Sequence, residues 1–344
     1  REFDLAPYRY QMIRGLDFYN FTRERLAQCA NVTFVRGDID RVEDGPDRAI
    51  LTVEGQAFSG SWVFDSTLPA SLRGGLWPTK QSPTSSDEIA SHPSTSPQKD
   101  AAPLRTPAMT INGHSHHLNQ HFRGWEIEVD RPIFNPQLPT LFDFRTRQSG
   151  HMRFVYTLPF SENRALIEYT LFSSHVLTSE EYDAGLTAYI EDTLGVKQYM
   201  INHVEAGIIP MTDHPFPRRL GQRVMSIGTK GGRVKPSTGY AFLRIQRDSA
   251  AIVQSLIEQG QPFAIPAQRG RFHLHDSILL NIMTHHPDDL KPIFTLMFRN
   301  NPIQHIFSFL DETATLSEEI RFIASLPPWR FLQALFRLKV LRRV

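Results

Sequence analysis

The chain has 344 residues, 40% of them apolar, and 37 Lys and Arg against 36 Asp and Glu give it a formal net charge of +1. That length supports a sizeable core and predicts roughly two domains, while the balanced charge excludes a dominant electrostatic attraction to nucleic acid. Cys29 is the single cysteine, so no internal disulfide can form, which suits a reducing compartment; no apolar run is long enough to span a bilayer and no signal peptide is evident.

The opening REFDLAPYRY reads as the inside of a domain, so a fragment is expected. Apolar residues at Met12, Ile13, Leu16, Tyr19 and Leu26 predict an amphipathic helix over 10–29, interrupted on that face by Arg23. A β-branched run (VTFV), a small antiparallel meander punctuated by Asp-Gly-Pro and Glu-Gly, and a final strand WVFD ending at Asp65 follow. Residues 73–108, rich in Pro, Ser and Thr and poor in large apolar residues, read as a disordered insertion. Strand patterns return in HFRGWEIEVD, TLFDFRT, MRFVYTLPF and RALIEYTLF, with alternation that suits a sheet covered on one face. SEEYDAGLTAYIEDTL predicts a helix capped by Ser179.

At 228–242 the sequence GTKGGRVKPSTGYAF crowds glycines ahead of an apolar stretch that predicts a helix from Tyr240. Two readings stand: a backbone cradle for an anion or dipole at a helix start, or a Gly-rich surface turn. The remainder is mainly helical, and in FLDETATLSEEI either Thr315 or Ser317 can cap a helix with Glu318 and Glu319 in its first turn. In the last segment Trp329, Leu332, Leu335 and Phe336 share a face opposite Arg330 and Arg337, compatible with lying on an anionic membrane or with packing on the body. His114, His116, His117 and His121, with His273 and His275, tempt a metal reading, but no Cys or carboxylate partners stand at recognisable spacing, so no metal is expected.

Several stretches in order (YRYQMIRGLDFY, WVFDST, QHFRGWEIEVDRPIFNP, LFDFR, FVYTLPFSENRALIEYTLFS, EAGIIPMT, GTKGGRVKPSTGYAF and NPIQHIFSFLDETATLSEEI) resemble the lycopene cyclases, carotenoid enzymes built on a flavoprotein fold. The resemblance implies a mixed α/β fold of the FAD-linked reductase and hydroxylase type, lacking its first βαβ unit, since no G-x-G-x-x-G occurs. The expected organisation is the rest of an FAD-binding domain at 1–72 and 206–250, an antiparallel-sheet substrate domain at 109–205 and a helical region at 251–344.

The implied reaction closes the linear end group of lycopene into a β-ionone ring. A double bond is protonated, its neighbour attacks the carbocation, and a proton is lost; reduced FAD is required without net oxidation, with NADPH as indirect reductant. Glu168, among Leu166, Ile167, Leu171 and Phe172, is the expected acid, since apolar surroundings raise a carboxyl pKa; periodicity alone equally permits a solvent-facing position beside Thr170. Plant relatives carry a second Glu where Tyr169 stands here. Glu126 and Asp143 are further catalytic candidates, and Trp125, Arg145 and Tyr169 candidates for substrate binding. The family plan places Asp65, Gly228, Gly231, Gly232, Pro236, Ser237, Thr238, Gly239 and Tyr240 around the flavin. A carotenoid, a membrane surface and a cytoplasmic, peripheral location complete the expectation. Rivals are a flavin-dependent hydroxylase or reductase, told apart by stoichiometric nicotinamide consumption, and a non-enzymatic carrier of apolar ligands.

Overall fold

The computed structural model describes residues 2–67, 115–267 and 269–341. The expected insertion at 73–108 lies outside the described residues. Helix α1 (Gly15–Ala27) is shorter than the predicted 10–29 and buries none of its residues, leaving Leu16, Tyr19 and Phe21 exposed. The VTFV run is not a strand: the meander starts at β1 (Ile39–Glu43) and continues through β2 (Ala49–Val53) and β3 (Gln56–Gly60). Its second turn is Glu54–Gly55, both at positive φ (47° and 80°), the two-residue turn whose twist matches a hairpin. Two further non-glycine residues are left-handed among the described residues, Phe142 (φ 55°) and Glu312 (φ 62°).

Strand β4 (Val63–Asp65) forms as predicted and pairs in parallel with β10 (Val224–Ser226), which brings Asp65 beside Ser226 and the loop that follows. Most of the structure is organised by a five-stranded sheet in the order β6-β7-β8-β5-β9. Its members are β5 (His117–Glu128), β6 (Thr140–Asp143), β7 (Met152–Pro159), β8 (Arg164–Ser173) and β9 (Met200–Thr212), all antiparallel neighbours. The domain boundary expected at 205/206 therefore falls inside β9, whose whole length pairs with β5.

Both faces of this sheet are covered, not one. Val155, Ile167, Tyr169 and Leu171 pack against α2 (Ser179–Ala188) and the single π-helical turn after it, through Tyr182, Leu186, Tyr189 and Ile190. The cap of α2 is Thr178 rather than Ser179, because its hydroxyl accepts from Glu181 N–H while the Glu181 side chain returns to the Thr178 N–H. On the other face Leu118, Phe154, Tyr156, Phe172 and Met211 meet the helical layer. That layer consists of α4 (Gly270–His285), α5 (Leu290–Asn300), α6 (Ile303–Leu310), α7 (Leu316–Ala324) and α8 (Pro328–Leu341). Thr315 caps α7 with a capping box to Glu318. Helix α8 packs on the body with one side only. Ala334 and Leu338 are buried, whereas Trp329, Leu332 and Phe336 stay exposed.

Candidate functional site

The alternation of β8 puts Glu168 and Thr170 on the helix-covered face, and Thr170 is fully buried, which removes the solvent-facing alternative. Register then sets the neighbours: Tyr156 on β7, Glu168 on β8, Gly124 on β5 and Glu205 on β9 form one row across the sheet. Glu168 is partly buried. Thr170 Oγ1 donates to its Oε1 at 3.1 Å. Burial pushes its carboxyl up from 4.5 to about 8, and the nearby Glu205 adds to the rise. The carboxyl therefore holds its proton to a higher pH than an exposed glutamate does.

Three tyrosines surround it. Tyr156 and Tyr240 share a side-chain hydrogen bond, and burial raises their pKa values, as it does that of Tyr10. Tyr156 and Tyr240 also line a cavity of about 230 Å³ between the sheet and the helical layer. Its walls are Phe142, Phe272, Phe294, Phe309, Phe322 and Phe331 with aliphatic residues of α4, α5 and α7, closed on one side by Leu332 and Leu335 of α8. Lys235, Ser237, Thr238 and Asp276 form its polar end. Lys235 is 4% exposed and binds Asp276 at 2.9 Å and Glu312 at 3.0 Å, while Ser237 donates to Asp276. Such a space can take an apolar molecule, with Tyr156 between it and Glu168 in register on the next strand.

The glycine-rich loop lies between this cavity and a second, polar cleft of about 380 Å³ lined by Asp40, Arg41, Asp44, Asp65, Thr67 and Lys230. Burial pushes the Asp65 carboxyl up, but hydrogen bonds from Lys230 and Thr67 outweigh that and hold it below the usual carboxylate range. Much of the loop's glycine content is explained by the chain's own packing. A Cβ at Gly231 would stand 2.7 Å from the Ser226 carbonyl oxygen, one at Gly232 3.2 Å from Phe216, and one at Gly239 against the Gln120 side chain. Gly228 alone among these meets nothing closer than Ser66 Cβ at 4.0 Å. Helix α3 (Phe242–Gln259) starts two residues later than expected and has no side-chain cap at Ala241. Beneath Gly239 the buried Gln120 Oε1 has no hydrogen-bond partner.

Gly239 combines φ +73° with that close approach. Gly239→Val is therefore expected to cost on the order of 1–3 kcal/mol through backbone strain, before the displacement of Gln120. A thermal melt of the full-length protein checks it, and an unchanged melt would show that the loop yields freely.

Other candidates fall away from the carboxyl. Trp125 and Tyr169 belong to the apolar layer under α2, on the opposite face from Glu168; Trp125 packs on Tyr199, and Tyr169 on Gly185. Asp143 lies on that same far side, where it accepts from Arg145 and, at 2.7 Å, from the Tyr189 hydroxyl. Burial pushes Asp143 up, but those hydrogen bonds prevail and keep it ionised. Alternation along β6 and β8 placed these residues near one another without saying which face each takes. Glu126 shares the face of Glu168 but is held by Arg14 at 3.1 Å and Arg164 at 3.4 Å.

The histidines take structural roles, with His116 and His273 both meeting Asp213. His116 binds Asp213 at 2.9 Å and Asn281 at 3.0 Å, and His121 meets Tyr182 and Ser173; His114 lies outside the described residues. Among the described residues no group of three His, Cys, Asp or Glu is placed to hold a metal. Glu205 was missed: its sole signal was a place at the head of the matching stretch EAGIIPMT.

Comparison with known proteins follows the same residues. A neoxanthin synthase of Solanum tuberosum is 31% identical over 154 residues, 41% of this chain and 30% of that protein. A lycopene beta cyclase of Solanum lycopersicum is 34% identical over 137 residues, 38% of this chain and 27% of that protein. The matched part thus spans about a third or less of these curated relatives. Among solved structures, a geranylgeranyl bacteriochlorophyll reductase-like protein of Thermoplasma acidophilum superposes with a TM-score of 0.42 at 14% identity, covering 69% of this chain and 58% of that one. The profile described as "Lycopene cyclase protein" matches residues 2–336, nearly the whole chain, and the chain belongs to that family.

Proposed function

We propose that this chain carries the acid and the substrate cavity of a carotenoid cyclase that closes the linear end group of lycopene into a β-ionone ring. One observation carries the reading: Glu168, whose carboxyl burial pushes up, stands in register beside Tyr156, which lines an apolar, aromatic-walled cavity. The proton leaves a Glu168 oxygen as a C–H bond forms at the end of the polyene. The neighbouring double bond supplies the electron pair of the new ring bond, and the ring cation then loses a proton. Atoms and electrons balance without an oxidant, so the reaction is an isomerisation. Aromatic faces of Phe and Tyr attract a cation, and the scarcity of polar lining keeps water from capturing it.

Family membership supports bound FAD, with NADPH as the indirect reductant. The residues present fit such a group: an orphaned Gln120 oxygen under the loop, an uncapped α3, an open Gly228 and a polar cleft ending at Asp65. Asp65 and Thr67 would hold its hydroxyl-bearing chain, and the loop at 228–240 its ring. When bound, a reduced flavin would supply negative charge near the cation. No described helix is long and apolar enough to cross a membrane. The exposed Trp329, Leu332 and Phe336 of α8 and Leu316 and Ile320 of α7 support a peripheral position on a bilayer from which the polyene is drawn.

The test is product analysis with the full-length protein in lycopene-accumulating cells, together with nicotinamide consumption by the purified protein. Cyclic carotenoid without stoichiometric NADPH use is expected. Stoichiometric use would instead indicate a flavin-dependent hydroxylase or reductase.

A further inference from the structure

Gly124 sits between two carboxylic acids. It is the central residue of the row Glu168–Gly124–Glu205 and the one position in that row without a side chain. A Cβ added there would stand 3.2 Å from Glu205 Cγ and 3.4 Å from Glu205 Oε1, and 3.0 Å from Leu166 Cδ1. The Glu205 side chain therefore leans over the glycine towards Glu168 instead of rising from the sheet. Residues on next-nearest strands are normally separated by the side chain between them. Here that side chain is missing, and the two carboxyls come within hydrogen-bonding reach.

We propose that Glu205 is the positioning partner of Glu168, the two carboxyls holding one proton between them across Gly124. The inference rests on the reading of Glu168 as the acid. Two carboxylates this close cannot both be ionised without repulsion, so the pair keeps one proton and one negative charge. When the proton passes from Glu168 to carbon, the pair becomes doubly negative while a single positive charge appears on the polyene. The attraction between them is greatest at that moment, the condition for stabilising a transition state rather than a bound substrate. The proton released by ring closure returns to the pair and restores the starting state.

The other groups facing the pair leave it this role. Tyr156, Tyr240 and Tyr10 stay neutral because burial raises each of them. Glu126, on the same face, is occupied by Arg14 and Arg164. Thr170 donates to Glu168 and supports the charge left after proton transfer.

The experiment is an infrared pH titration of the full-length protein, read as the protonated-carboxyl band absent from Glu168→Gln, alongside the pH profile of turnover on lycopene. Glu205→Gln is expected to lower the midpoint of that band by about one unit or more, and turnover at pH 8 about fivefold or more, because the like charge that holds the proton is gone. Glu205→Asp should restore part of both. Gly124→Ala keeps both acids but pushes them apart and should shift the midpoint in the same direction; it decides the matter should Glu205→Gln not fold. A midpoint unmoved in either folded variant overturns the pairing. A shifted midpoint in a protein that cyclises nothing leaves the pairing standing and removes the cyclase reading.

Discussion

Glu168→Gln in the full-length protein is expected to lower cyclisation by about 10²–10⁴-fold, the range that a positioned general acid contributes. Gln keeps the shape and a hydrogen bond to Thr170 but has no acidic proton to give. Extracted pigments from lycopene-accumulating cells report the loss, and wild-type levels of cyclic product would remove Glu168 from the acid role. The same variant carries a stability signature of opposite sign. A carboxyl raised from 4.5 to about 8 on folding contributes its full stability below pH 4.5 and loses it as pH climbs through about 8. Glu168→Gln does not titrate, so its melting temperature should gain on the wild type across that window. A gap constant from pH 4 to pH 9 would show that the carboxyl is not held neutral.

Lys235→Ala is expected to give the largest loss of stability. Removing the ammonium leaves Asp276, 1% exposed, with only the Ser237 hydroxyl, and its Oδ2 already lacks a partner. Breaking a buried pair from one side costs about 3–5 kcal/mol, because the remaining charge stays desolvated. In a chain of this size that is a fall of melting temperature on the order of 5–15 °C. Glu312 does not share this fate, since Arg244 still holds it at 2.7 Å. The double variant Lys235→Met with Asp276→Asn should therefore recover much of the loss. If the single variant melts like the wild type, water reaches Asp276 and the polar end of the cavity is open.

Wherever pattern has one period and one outcome, the sequence was readable. Strands β5 to β8 of the sheet, the strand ending at Asp65 and a cap at Thr315 or Ser317 are local matters of alternation and hydrogen-bonding chemistry, whereas β9 escaped that reading. Glu168 could be singled out only through the resemblance, since alternation alone left open which face of the strand it takes. What stayed hidden is relational. Trp125 and Tyr169 sit beside Glu126 and Glu168 in their stretches, with Asp143 and Arg145 in a third, yet a strand sends alternate residues to opposite faces, and both faces here are covered. Nor does strand order follow chain order. Glu205 reaches Glu168 because β9 pairs with β5 rather than with β8, which no local pattern in EAGIIPMT discloses. The loop glycines are ambiguous for another reason, since packing against Ser226, Phe216 and Gln120 demands small residues whether or not a ligand is bound.

The left-handed residues Glu54, Phe142 and Glu312 look alike to anyone engineering a hardier protein, for each sits where glycine would relax the backbone. Their surroundings sort them differently. Glu54 is exposed in a hairpin turn, so exchanging it for glycine forfeits little. Glu312 receives both Lys235 and Arg244, and removing it would take the carboxylate from Arg244 and leave Lys235 to Asp276 at the cavity's polar end. Phe142 places its ring among Phe154, Tyr156, Phe294 and Phe298, so a glycine there would hollow out the wall of the apolar cavity. Thermal tolerance can thus be raised at the meander's turn, but at the cavity the same manoeuvre would exchange the shape of the binding space for backbone ease.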